Sequence, residues 1–160
     1  MDVIMDTNIA STFGKIERFD LLEALFPDST LFISSSVQSE LSAEKWLKLA
    51  KKVIKTAKTT GPTKPEAKLT EKLLSKRNMG KAEAECIAIA KSRGMLLLTN
   101  DKIAVKEARK AGADLMDLRA IVRHLWKQNV LSKEAAESLI TEIEEKDNII
   151  FVDKEKIFLD

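Results

Sequence analysis

Leu96-Leu97-Leu98-Thr99-Asn100-Asp101 decides the fold. Met95 to Leu98 is an uninterrupted apolar run closing on Thr99, entered from Gly94 and left through Asn100-Asp101. A short apolar run bounded by turn residues suits a strand buried on both faces, as in a parallel sheet. Helical patterns flank it, from Lys81 to Arg93 before and from Lys102 to Lys110 after. Helix, strand and helix in that order make a doubly wound α/β unit, whose ligands bind at the carboxyl edge of the strands. Asp101 is expected at that edge.

The same grammar recurs outward. Val3-Ile4-Met5 reads as a first strand ending at Asp6, followed by a helical hairpin through Phe13, Ile16, Phe19, Leu22 and Leu25. Leu31-Phe32-Ile33 reads as the second strand. Ser35 with Gln38 three residues on resembles a capping box, which places Glu40 in the first or second turn of the next helix. Trp46, Leu49, Val53, Ile54 and Ala57 recur at helical spacing, with Lys45, Lys48, Lys51, Lys52, Lys55 and Lys58 mostly between them. Thr59 to Pro65 carries Gly61, Pro62 and Pro65 and reads as a mobile surface loop. A helix from about Glu66 to Lys76 and a short strand near Asp114–Met116 are expected. Helices over Leu118–Gln128 and Lys133–Lys146 follow, then a last edge strand at Ile149–Val152. The pattern predicts a three-layer α/β/α sandwich with a mostly parallel central sheet. Residues 1–160 are read as one domain, with the lysine-rich helix and loop at about 43–66.

Composition agrees. At 160 residues, 44% hydrophobic and 32% charged, the chain matches a globular domain with a sizeable core. No apolar run approaches the roughly 20 residues that span a bilayer. Its opening lacks the pattern of a secretory signal, and Cys86 is the only cysteine, so a cytoplasmic location is expected. Net charge is only +2 but unevenly spread. Twelve Lys and Arg stand between Lys45 and Lys81 against Glu66 and Glu71, whereas nine acids face three lysines from Glu134 onward. A local basic surface suits a polyanion, and the face bearing Lys48, Lys51, Lys52 and Lys55 is the candidate for it, the alternative being a solvated helix face.

Four carboxylates fall at equivalent places: Asp6, Glu40, Glu83 and Asp101. Singly, each could be a helix cap or a charge placed favourably on a helix dipole. Together along one sheet edge they need a cation, since like charges about 4 Å apart cost about 4 kcal/mol at an effective dielectric near 20. Hard oxygen donors select Mg2+ or Mn2+, ions that activate water and stabilise charge on phosphates. His124, the only histidine, sits mid-helix among Ile121, Val122, Leu125 and Trp126 and reads as a packing residue.

Four segments in order then resemble the PIN-domain family of VapC-type toxin ribonucleases and related archaeal and bacterial nucleases. They are Val3-Ile4-Met5-Asp6-Thr7-Asn8, Ser36-Val37-Gln38-Ser39-Glu40-Leu41, Gly80-Lys81-Ala82-Glu83-Ala84-Glu85 and Leu97-Leu98-Thr99-Asn100-Asp101. The resemblance implies a metal-dependent endoribonuclease with Asp6 and Asp101 as the most direct ligands of Mg2+ or Mn2+. Glu40 and Glu83 would complete the site or orient its water, supported by Asn8 and Thr99. Lys81 stands where relatives often carry another Glu, and Glu83 fills a place that is Asp in many toxins. Glu85 is the rival third acid, though two residues along a helix turns it to another face. Implied partners are single-stranded or structured RNA, an antitoxin protein and a second copy of the chain, with no membrane. Asn8 argues against a haloacid-dehalogenase-like phosphatase, which needs a second Asp there. The alternative from another class is a non-catalytic PIN-like domain that binds RNA or protein.

Overall fold

The structure, a computed structural model, describes residues 1–43, 47–76 and 78–160, leaving aside the side chain of Leu47. Among these residues five strands form one all-parallel sheet: β1 (Val3–Met5), β2 (Leu31–Ser34), β3 (Lys58–Thr60), β4 (Leu96–Leu98) and β5 (Leu115–Met116). Their spatial order is β3-β2-β1-β4-β5. β1 lies at the centre, with Val3 opposite both Leu31 and Leu96, and Met5 opposite Leu98. Val3, Ile4, Met5, Leu97 and Leu98 are all buried, which explains why β1 and β4 are apolar throughout rather than alternating.

The connections are helical: α1 (Thr7–Lys15), α2 (Phe19–Leu25), α3 (Ser35–Ser42), α4 (Leu47–Thr56), α5 (Lys64–Leu74), α6 (Lys81–Arg93), α7 (Lys102–Ala111), α8 (Leu118–Lys127) and α9 (Lys133–Asp147). The chain steps outward from β1 to β2 to β3, then crosses back to β4 and β5. Right-handed crossovers therefore put α1–α4 on one face and α5–α7 on the other. Contacts agree: α1 packs with α3, α4 and α9, while α6 packs with α5 and α7. α6 lies directly over β1, β2 and β4, and its Ala82, Cys86, Ile87, Ala88, Ile89 and Ala90 are buried. The strand order reverses between β1 and β4. Helices leaving these two strands part to opposite faces, which opens a crevice at their carboxyl ends.

Four expectations are corrected. First, Thr59–Thr60 belong to an edge strand, paired through Ile33↔Thr59 and Ser34↔Thr60, and not to a loop. Its polar Lys58-Thr59-Thr60 carries no apolar signal because the edge is largely exposed. Second, α5 starts at Lys64: Thr63 and Glu66 form a capping box, with Pro65 in the first turn. Third, Ser34 rather than Ser35 caps α3, accepting from the Val37 N–H at 3.2 Å. Fourth, Ile149–Val152 is no strand. Its backbone is satisfied by side chains instead: Phe151 N–H donates to Glu144, and Arg119 donates to the carbonyls of Val152 and Asp153. Lys45 and Trp46, assigned from the sequence to the lysine-rich helix, lie outside the described residues. No helix among the described residues is long and apolar enough to cross a membrane.

Candidate active site

The crevice at the switch point is built by the residues that end β1 and β4. The Asp6 N–H donates to Leu98 O at 3.1 Å, so the pairing of the two strands runs right up to the acid. Asp6 caps α1, its Oδ1 accepting from the Ile9 N–H at 2.9 Å. Its Oδ2 accepts from the buried Thr99 hydroxyl at 2.5 Å. Thr99 Oγ1 in turn accepts from the Asp101 N–H at 3.3 Å, and Asp101 Oδ1 caps α7 through Ala104 N–H at 2.8 Å. Both aspartates are thus helix caps, and one threonine locks them together.

Glu40 and Glu83 approach from either side. The Thr7 hydroxyl donates to Glu40 Oε2 at 2.5 Å, which ties the second turn of α3 to the first residue of α1. Glu83, in the first turn of α6, folds back over the N-cap Gly80. A Cβ on Gly80 would lie 2.2 Å from Glu83 Oε2, so only glycine leaves this carboxylate where it is. Burial pushes the Asp6 carboxyl up to about 7, with the charges of Glu83 and Asp101 adding to it. Burial also raises Glu83, helped by the charges of Glu40 and Asp101.

Glu85 turns away and is spent. Its carboxylate accepts from the Ser36 N–H at 3.0 Å and the Ser36 hydroxyl at 2.8 Å, anchoring the start of α3. Asn8 is exposed beside the crevice, and Thr12 Oγ1 donates to its backbone carbonyl. Cys86 is buried beneath the site against Ser34 and Met5 O, and burial raises its thiol. His124 Nδ1 meets Ala120 O of its own helix, as a packing residue should.

The α4 lysines lie elsewhere. Lys48, Lys51, Lys52 and Lys55 are all exposed, and Lys52 pairs with Glu17 at 3.3 Å. Glu17 follows the far end of α1 from Asp6, about 15 Å away at 1.5 Å per residue. Two contributors have no role assigned from the sequence, Thr7 and Gly80. Thr7 stands inside the Asp6-Thr7-Asn8 motif, where a hydroxyl beside the acid was the available signal. Gly80 acts through a missing side chain, which no motif reveals.

Would this site suit a divalent cation? The donors are hard carboxylate oxygens, and among the described residues no cationic side chain is paired with Asp6, Glu40, Glu83 or Asp101. Also among the described residues, no three Asp, Glu, His or Cys side chains are already gathered into a cage. The chemistry of the donor set and its uncompensated charge fit Mg2+ or Mn2+.

A family model described as a PIN domain (DUF3368) matches residues 2–156. The chain belongs to the PIN-domain family. PIN domains are as a family nucleases that typically use divalent metal ions. No curated protein matches the sequence closely enough to count as a relative. Among solved structures, VapBC2 from Rickettsia felis bound to a promoter DNA fragment superposes with a TM-score of 0.56 at 18% identity, over 73% of this chain and 98% of that one. PAE2754 from Pyrobaculum aerophilum gives 0.54 at 16% identity, covering 78% and 96%. A domain of a functionally unknown Methanocaldococcus jannaschii protein gives 0.50 at 24%, covering 73% and 90%. At these identities the likeness is one of fold, and that fold is the five-stranded parallel PIN sheet.

Proposed function

We propose that this PIN domain is a Mg2+- or Mn2+-dependent endoribonuclease that hydrolyses RNA phosphodiester bonds at the β1/β4 crevice. One observation carries the reading. Asp6 is a carboxylate 1% exposed and without a cationic partner among the described residues, with the charges of Glu83 and Asp101 acting on it at the carboxyl end of β1. Asp6 and Asp101 would hold the ion, with Glu83 and Glu40 completing its surroundings. The ion would supply charge stabilisation at the phosphate and a more acidic water. The protein's share is positioning. Thr99 fixes the Asp6 carboxylate and the Asp101 backbone, the Ala104 N–H fixes the Asp101 carboxylate, Thr7 fixes Glu40, and Gly80 lets Glu83 lie inward to orient the attacking water. The Rickettsia felis neighbour is a VapBC assembly, which supports an antitoxin as a partner for this chain.

A labelled single-stranded RNA incubated with the protein in Mn2+ and in chelator tests the reading. Cleavage should need the metal and vanish in Asp6→Asn and Asp101→Asn, while both variants keep the parent's circular dichroism. A parent inert in Mg2+ and Mn2+, or variants as active as the parent, would overturn it.

A further inference from the structure

A sizeable cleft lies away from the lysine-rich helix. It has a volume of about 810 Å3 and opens from Asn100, next to Asp101, between α7 and the segment Ile149–Val152. Three exposed cations on its α7 wall, Lys102, Lys106 and Arg109, have no hydrogen-bond or ion-pair partner among the described residues. At 1.5 Å per residue they stand about 5–6 Å apart, one per turn, in a row that starts beside the acidic edge. Other charges of the cleft are already engaged. Lys110 pairs with Glu107 at 3.4 Å, Arg119 holds the Val152 and Asp153 carbonyls, and Asp117 Oδ1 caps α8.

The opposite wall is apolar. Ile150 is 81% and Val152 68% exposed; among the described residues Ile150 is the most exposed large hydrophobic and Val152 is level with Met1. They are held outward because Phe151 is buried between them and because Arg119 and Glu144 fix the backbone of this segment. A regular row of cations facing an apolar shelf matches a chain with evenly spaced negative charge on one side and flat apolar groups on the other. A duplex hides its bases and would leave the shelf uncovered.

We propose that the α7 cleft seats single-stranded nucleic acid. Its phosphates lie on Lys102, Lys106 and Arg109 and its bases against Ile150 and Val152, leading the strand into the Asp6–Asp101 crevice. The inference rests on the nuclease reading for its direction of travel, but the binding itself does not. The α4 lysines, near the opposite end of α1, take no part.

Fluorescence anisotropy with a labelled uridine-rich 15-nucleotide RNA, in chelator so that no cleavage occurs, separates the two. Replacing Lys102, Lys106 and Arg109 together by Gln should weaken binding about tenfold or more. It should also flatten the slope of log affinity against log salt by about 2, at about 0.7 per lost contact. Ile150→Ser with Val152→Ser should weaken binding while leaving the slope alone. Changing Lys48, Lys51 and Lys55 to Gln should alter neither quantity. Parent-like affinity and slope in the α7 variant, an equal loss in the α4 variant, or equal binding of the same sequence as a duplex would each overturn the proposal. So would a parent that ignores RNA yet binds an acidic amphipathic peptide at this cleft, since that assigns the face to a protein partner. A parent that binds through α7 but never cleaves in Mn2+ defeats the nuclease reading and leaves this one standing.

Discussion

Asp6 and Glu66 are both acids removed from water, at 1% and 3% exposure, yet their surroundings treat them in opposite ways. Glu66 meets the Arg93 guanidinium in a two-pronged pair, with Nε–Oε1 and Nη2–Oε2 both at 2.9 Å, and accepts from the Thr63 N–H at 2.7 Å. Arg93 holds its carboxyl below the usual range. The same arginine donates to Thr60 Oγ1 and Gly61 O, so the pair fastens β3 and the turn after it to α6. Asp6 receives two hydrogen bonds but no positive charge among the described residues, and its neighbours are acids. The fold thus compensates a buried carboxylate where the task is fastening. Where no cation is supplied, burial and the neighbouring acids favour the protonated carboxyl.

The comparison breaks most sharply under Asp6→Asn. Metal-dependent cleavage should fall at least 100-fold, while Arg93→Met should leave turnover within about threefold, read on one RNA substrate. Next in size is the pH slope. Folding raises the Asp6 carboxyl from 3.8 to about 7, so the folded state takes up a proton between those values and loses stability as pH rises through that window. The full cost above pH 7 is on the order of 4 kcal/mol. In chelator the parent should melt higher at pH 5.5 than at pH 8, and Asp6→Asn should lose most of that dependence. Glu66 runs the other way: its contribution is present above the ordinary carboxylate range and fades as acid protonates it. Arg93→Met, which strands a buried carboxylate, should cost roughly 2–4 kcal/mol by denaturant titration at pH 7.

Smaller effects sharpen the picture. Saturating Mn2+ at about 100 times its dissociation constant should stabilise the parent by about 2.7 kcal/mol, visible as a rise in Tm. Asp101→Asn should respond much less, and in chelator should melt above the parent, because Asn caps α7 about as well as Asp. Smallest is Gly80→Ala. Its φ of −79° is open to any residue, so stability should change by less than about 1 kcal/mol. The new methyl must displace Glu83, and the Mn2+ response and cleavage should drop together. Unchanged metal affinity in that variant would remove Glu83 from the site.

Much of this was legible beforehand, for definable reasons. β1, β2, β4 and the helices after them are marked by clear apolar runs, and Asp6 and Asp101 follow the ends of β1 and β4. What escaped is where tertiary partners replace local signals. β3 is polar because it lies on an exposed edge. Ile149–Val152 has a strand's burial alternation, but Arg119 and Glu144 take the hydrogen bonds that a ladder would have used. The start of α5 was readable from Thr63, Pro65 and Glu66, a capping signature masked by the Gly61-Pro62 break just before it. Counting lysines along the chain points to α4, whereas the cleft that opens beside Asp101 is lined by Lys102, Lys106 and Arg109 of α7, in a shorter basic stretch with a net charge of +3 from Lys102 to Ala111.

The Thr99–Asp6 hydrogen bond joins residues 93 positions apart, and this has a consequence for the order of events on the ribosome. A nascent chain that has emerged only as far as Arg93 already holds Asp6, Glu40 and Glu83 but has no β4 beside β1. Loop closure over that distance precedes any reward from the contact. The crevice therefore comes into being late in synthesis and all at once, when Leu96–Asp101 docks against the first strand.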